Sequence, residues 1–140
     1  MKILLAVDGS AHTKKMLAYL VTHEELLAPS NSFTLMTVPP QLPPRARSMV
    51  GKETVESYQR EEAEKVLGPA SQFLMRHGIN PKSVAKVGHA GETLCKAANA
   101  GGFDLVVMGS HGHGVFGNLV MGSVATQVLS QSKVPVLLVR

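Results

Sequence analysis

Five short apolar runs punctuate the chain, and segments with helical spacing lie between them. Ile3 to Val7 is apolar at every position. A strand with no polar face belongs inside a parallel sheet that is covered on both sides. Phe33 to Val38 predicts a second strand, with Phe33, Leu35 and Thr37 on one face and Thr34, Met36 and Val38 on the other. Ser83 to Val87 predicts a third, weakened by Lys86. Leu105 to Met108 and Val134 to Arg140 predict the fourth and fifth. Between them, Ser10 is placed to cap a helix reaching about His23, with Met16, Leu17, Leu20 and Val21 at helical spacing. Thr13 stands where a capping box would have Glu or Gln, so that motif is incomplete.

Lys52 to His77 carries a long helical pattern through Val55, Tyr58, Glu62/Ala63, Val66/Leu67, Ala70 and Phe73/Leu74. Gly68-Pro69 in its middle predicts two helical pieces, coaxial or slightly bent, because proline removes a backbone donor. Gly78 is a natural residue just past a helix end. Gly88 to Gly91 turns into a helix running from Glu92 to about Ala100, and Gly122-Ser123 leads into another marked by Val124, Val128 and Leu129. Strand and helix alternate throughout, which predicts an α/β fold with a parallel sheet and right-handed crossovers. Pro39, Pro40, Pro43 and Pro44 predict an extended loop after the second strand. Arg45 and Arg47 beyond it are candidates to close over a phosphate.

Chemistry concentrates between Phe103 and Ala125. The fourth strand breaks into Gly109-Ser110-His111-Gly112-His113-Gly114, and Gly122-Ser123 opens the last helix eight residues later. Glycines let backbone N–H groups converge on an anion, and a helix start adds unpaired donors and roughly half a positive charge. Any one of these glycines suits a plain surface turn; the whole set fits a phosphate cradle. Asp8 closes the first strand, where Asp before Gly either makes a turn or faces a ligand.

Length and composition narrow the rest. A chain of 140 residues, 44% hydrophobic and 17% charged, fits one globular domain spanning residues 1–140. The net charge of +4 admits an anionic ligand, but there is no basic run and no Trp for base stacking, which argues against nucleic acid. Cys95 is the single cysteine, so neither an internal disulfide nor a cysteine metal site is expected. His111 and His113 lack carboxylate or cysteine companions and are read as loop residues, not metal ligands. No apolar run approaches the roughly 20 residues of a membrane span, and the start is too short for a signal peptide core. These features predict a cytoplasmic protein.

Two familiar nucleotide patterns fail on context. Gly112, Gly114 and Gly117 spell G-x-G-x-x-G, but no Asp or Glu follows Asp104 to hold a ribose. A P-loop would need a lysine beside its last glycine, and none is present. Gly109-x2-Gly112-x9-Gly122-Ser123 instead matches the G-x2-G-x9-G-[S/T] pattern of the universal stress protein family, ATP-binding branch. KILLAVDGS, GETLCKAANAGGFDLVVMGSHG and VPVLLVR resemble that family's first strand, its passage into strand four and its last strand, so the resemblance covers essentially the whole chain.

The resemblance implies a three-layer α/β sandwich of the adenine-nucleotide α-hydrolase-like type, with a five-stranded sheet ordered 3-2-1-4-5. It implies ATP across the carboxyl ends of strands 1 and 4, with Mg²⁺ arriving only with the nucleotide. Carried over by position, Ala6, Val7 and Asp8 meet adenine and ribose, and Val38 flanks the base. Met108 and Gly109 end strand four, and Gly112 offers backbone space and donors to the phosphates. Gly122, Ser123 and Val124 form the helix start, with Ser123 both capping the helix and bonding a phosphate oxygen. His111 replaces an Arg found in many members, so a hydrogen bond stands where a fixed charge would be.

Function then has three candidates: an ATP-binding stress-response regulatory module, a slow ATPase, or a dimeric stress protein that binds no nucleotide. The glycine pattern opposes the third. The lack of a lysine, arginine finger or placed carboxylate base beside it opposes efficient hydrolysis. The last strand leaves a sheet edge, which predicts a homodimer through Val136 to Val139, as the resemblance also implies.

Overall fold

The central strands of this protein are sandwiched, because successive side chains of a strand point to opposite faces. In Lys2–Ala6, Ser32–Thr37 and Leu105–Gly109 both sets are largely buried, whereas the edge strand Lys82–Ala85 is mostly exposed. A computed structural model describes residues 1–113 and 121–140; the notional Gly114 and Gly117 of the dinucleotide pattern lie outside them. Strands β1 (Lys2–Ala6), β2 (Ser32–Thr37), β3 (Lys82–Ala85), β4 (Leu105–Gly109) and β5 (Val136–Val139) form a parallel sheet in the order β3-β2-β1-β4-β5. Helices α1 (Ala11–Thr22), α2 (Pro44–Val50), α3 (Lys52–Arg76), α4 (Ala90–Ala100) and α5 (Ser123–Gln131) connect them, with a short 3₁₀ turn at Glu24–Leu27.

Two cores result. Ile3, Leu5, Phe33, Leu35 and Val107 on one sheet face meet Met16, Leu17 and Leu20 of α1 and Ala63, Leu67, Ala70 and Leu74 of α3. Leu4, Ala6, Met36, Val106 and Met108 on the other meet Leu94, Cys95 and Ala98 of α4 and Ala125 and Val128 of α5. This is the expected three-layer α/β sandwich. The alternation read from β2 is realised as well, with Phe33 and Leu35 in one core and Met36 and Val38 in the other. Burial pushes the Cys95 thiol up, since a thiolate there would lose its water.

Three expectations need correction. The proline-rich segment is extended only as far as Pro43; Pro44 occupies the first turn of α2, where its absent N–H costs nothing and its fixed φ suits a helix. Helix α3 runs unbroken through Pro69. Its buried stripe continues from Ala63 and Leu67 to Ala70 and Leu74, so packing on one sheet face holds both halves on one path. In α5, Ala125 and Val128 face the core while Leu129 is exposed.

The end of α3 shows how a local rule closes an element. Gly78 takes φ +79° and donates to Met75 O at 3.1 Å, while Ile79 N donates to Leu74 O at 3.0 Å. This is the paired 5→2 and 6→1 bonding of a Schellman motif. A Cβ at Gly78 would meet nothing within 4 Å, so Gly78→Ala isolates backbone strain. It should cost about 1 kcal/mol in urea unfolding. Leu74→Ala, at a fully buried site, should cost about 2–5 kcal/mol.

Candidate functional site

Strand order reverses between β1 and β4: the chain builds outward from β1 to β3, then returns to build β4 and β5 on the other side. Connections leave the two central strands in opposite directions there, and a crevice opens at their carboxyl ends. A cleft of about 240 Å³ occupies that point. All eleven residues singled out from the sequence line it: Ala6, Val7 and Asp8 from β1 and its exit, Val38 after β2, Met108, Gly109, His111 and Gly112 around the end of β4, and Gly122, Ser123 and Val124 at the start of α5.

One end of the cleft is apolar. Met36 and Val38 from β2, Ala6 from β1, Met108 from β4, and Ala90 and Leu94 from α4 wall a slot suited to a flat, uncharged group. The opposite end is built from backbone. Gly122 N donates to Ser110 O at 2.7 Å, which clamps the start of α5 onto the loop after β4. A Cβ on Gly122 would lie 3.2 Å from His111 Cα, and one on Gly112 would lie 2.7 Å from Asp8 Oδ2. Both glycines therefore permit close approach, and neither adopts a left-handed conformation.

Gly122, not Ser123, is the N-cap of α5, which corrects the expected capping role of the serine. Its extended backbone (φ −75°, ψ 165°) ends the loop, and its carbonyl accepts from Thr126 N at 3.0 Å and from Thr126 Oγ1 at 2.9 Å. Ser123 is the first helical residue, with an exposed side chain. A glycine cap has no side chain to bond the first-turn N–H groups. Those donors, together with the Ser123 hydroxyl, remain for an external acceptor.

Asp8 proves to be both turn and wall. Its Oδ1 accepts from Ser10 N at 2.9 Å and Thr13 Oγ1 at 2.7 Å, and its own N–H donates to Thr13 Oγ1 at 3.0 Å. Its Oδ2 is left facing the cleft beside Gly112. The unmatched capping box now has an explanation: Thr13 N donates to Ser10 Oγ as a cap requires, while the Thr13 hydroxyl holds Asp8.

Gly109 answers a different need. A Cβ there would lie 2.8 Å from His12 Cβ and 3.0 Å from the His12 carbonyl, so the first turn of α1 packs directly on the end of β4. His12 also lies against His111, with ring centroids 4.8 Å apart and the ring planes tilted by 36°. His111 Nδ1 shares a hydrogen bond with buried Ser110 Oγ at 2.9 Å. His113 Nε2 donates to Asp8 O at 2.6 Å and so ties the glycine loop to the exit of β1.

Sequence reasoning missed Thr13, Met36, Ala90, Leu94, His113 and Ala125 as lining groups, and His12 behind them. Only Thr13 left a signal, in the incomplete capping box. Arg45 and Arg47 lie exposed on α2 and do not line the cleft. Among the described residues no group of three His, Cys, Asp or Glu side chains could hold a metal.

An open parallel sheet with a glycine-walled cleft at its switch point places this chain among the α/β proteins, whose ligands as a rule bind at such a point. Comparison with known proteins narrows the class: residues 1–140 match the model of the universal stress protein family. The chain belongs to that family. It is similar to a universal stress protein of Thermus aquaticus, 33% identical over 140 residues covering 99% of this chain and 97% of the relative. It is also similar to universal stress protein Slr1230 of Synechocystis, 33% identical over 139 residues, but spans only 42% of that protein's length.

Among solved structures, the protein MJ0577 superposes with a TM-score of 0.81 at 25% identity, covering 99% of this chain and 94% of the other. Two more distant neighbours were solved with nucleotides. The Archaeoglobus fulgidus universal stress protein in complex with dAMP has a TM-score of 0.72 and 19% identity, over 100% of this chain and 98% of that one. An Arabidopsis thaliana family member with AMP bound has a TM-score of 0.71 and 14% identity, over 99% and 90%. No helix among the described residues is long and apolar enough to cross a membrane.

The Thr13 hydroxyl donates to Asp8 Oδ1 and accepts from Asp8 N, and it is buried. Thr13→Val should therefore destabilise the fold by about 1–3 kcal/mol, because it strands the Asp8 N–H, whereas Thr13→Ser should recover most of that loss. Thermal or urea unfolding of the two variants checks this.

Proposed function

We propose that this protein is an ATP-binding stress-response regulatory module, with the nucleotide held across the carboxyl ends of β1 and β4. The observation that carries the reading is the joining, in one cleft, of an apolar slot and a helix start whose first-turn donors have no side-chain cap. A purine fits between Val38, Met36 and Leu94. Ribose hydroxyls donate to Asp8 Oδ2, the carboxylate oxygen that takes no hydrogen bond from the described residues. Phosphate oxygens accept from the N–H groups of the first turn of α5 and from the Ser123 hydroxyl. Gly112 and Gly122 supply the room, since a side chain at either would press on the cleft's own walls. Nucleotide complexes of structural neighbours support the same class of ligand. Mg²⁺ enters with the ATP, through its phosphates.

Regulation on this reading operates through occupancy, because Asp8 is the sole carboxylate among the described lining residues and is already held by Ser10 and Thr13. An in-line attack on a phosphate would need a base that can accept a proton from water at the far end of the cleft. We further propose that the edge strand β5 pairs with a second copy through Val136 to Val139. Its partly buried apolar side chains and unpaired outer backbone suit a two-fold contact.

Purified protein should release ATP on denaturation and chromatography; recovery of AMP alone would refute ATP as the resident ligand. In titration calorimetry Ser123→Ala should weaken ATP about three- to tenfold without shifting the thermal midpoint, as one charge-assisted hydrogen bond is lost. Gly122→Lys should abolish binding, and undiminished affinity there would refute the site. Sedimentation at micromolar concentration should give a dimer, and Leu137→Asp or Val136→Asp should give monomers; a monomeric wild type would sink the β5 pairing.

A further inference from the structure

A second cavity, unrelated to the glycine loop, opens on the face of the sheet that carries α4 and α5. These two helices pack over the middle and the β5 side of that face, and the β2–β3 end is left without a covering helix. The resulting groove measures about 670 Å³, inside the roughly 300–1,000 Å³ range of small-molecule sites. Its apolar lining comes from Leu4, Met36, Val84 and Phe103.

The polar groups of the groove are what single it out. Thr34 is 8% exposed, lines the groove from β2, and its hydroxyl has no hydrogen-bond partner among the described residues. Its oxygen is not sealed from solvent, since His12 Nδ1 is the one fully buried side-chain polar atom without a partner among the described residues, so the hydroxyl is open to a group lying in the groove. Thr93, on the α4 wall, likewise has an unpartnered hydroxyl. At the rim, Lys86 carries an ammonium with no acid partner among the described residues, while Lys96 is paired with Glu92 at 2.9 Å. One uncompensated cation thus stands over an apolar floor containing a vacant hydroxyl donor and acceptor.

We propose that this groove is a binding site for a small amphipathic organic monoanion. The ligand's apolar body lies on Leu4, Met36, Val84 and Phe103. Its acid group pairs with Lys86, and a polar atom within it bonds the Thr34 hydroxyl. A dianion or polyphosphate suits the groove poorly, because Lys96 already has its counter-charge. This site stands apart from the nucleotide reading and does not depend on it, although Met36 lies in the wall between the two.

The probe is 8-anilinonaphthalene-1-sulfonate, a monoanion with an aromatic body whose fluorescence reports transfer out of water. The full chain should bind it saturably at one site per protomer, with decanoate displacing it. Lys86→Glu, at an exposed position, should weaken binding at least about tenfold, the scale of one lost charge-assisted contact. Thr34→Val keeps the shape, so it should weaken binding several-fold while the thermal midpoint stays the same or rises. Saturating ATP should leave the probe bound. The proposal is overturned if the wild type shows no saturable site, if both variants bind as the wild type does, or if ATP displaces the probe.

Discussion

The hydrogen bond from Gly122 N to Ser110 O, 2.7 Å long, joins the two halves of a motif that the chain keeps nine residues apart. It sets the first turn of α5 against the loop leaving β4. Gly122 suits the contact because a Cβ there would lie 3.2 Å from His111 Cα, so that backbone meets backbone closely. Everything at the polar end of the cleft follows from this contact. The uncapped donors of α5 point where they do because the loop holds them, and Asp8 Oδ2 faces the same space because Gly112 leaves room for it.

The other side of the cleft is held by a smaller network with the same logic. Thr13 and Ser10 bind one oxygen of Asp8, and His113 binds its carbonyl, so the exit of β1 is fixed to both α1 and the glycine loop. Gly109 lets α1 come within touching distance of β4, which brings His12 against His111. The cleft is therefore preorganised by backbone approach and short polar contacts. Bulky side chains enter only at the apolar end, where Met36, Val38 and Leu94 make the slot. Walls preorganised in this way reduce the ordering cost of binding.

The two faces of the sheet are treated unequally. One is closed along its length by α1 and the 25-residue α3. The other has α4 and α5 crowded together, with Gly91 pressed against Gln127, and this leaves β2 and β3 bare at their end. Close helix packing near the cleft and an open groove beside it are two consequences of one arrangement.

Much of this was legible from residue order. Runs such as Ile3 to Val7, apolar on both faces, require a covered parallel sheet, and alternation with helices leaves few topologies. The glycine spacing and the residues ending β1, β2 and β4 named eleven positions that the fold gathers into one cleft. Local rules failed where tertiary packing overrode them. Pro69 did not divide α3, because a continuous buried stripe packs both halves on the same sheet face; Pro44 began a helix because only its neighbours decide whether a missing N–H matters. Met36, Ala90 and Leu94 could not be seen as lining groups, since their apolar character serves the core equally well, and only the packing of α4 on the sheet brings them to the cleft. Sequence periodicity settles which face a side chain takes. Which of those faces is covered, and by what, is decided only when the helices are in place.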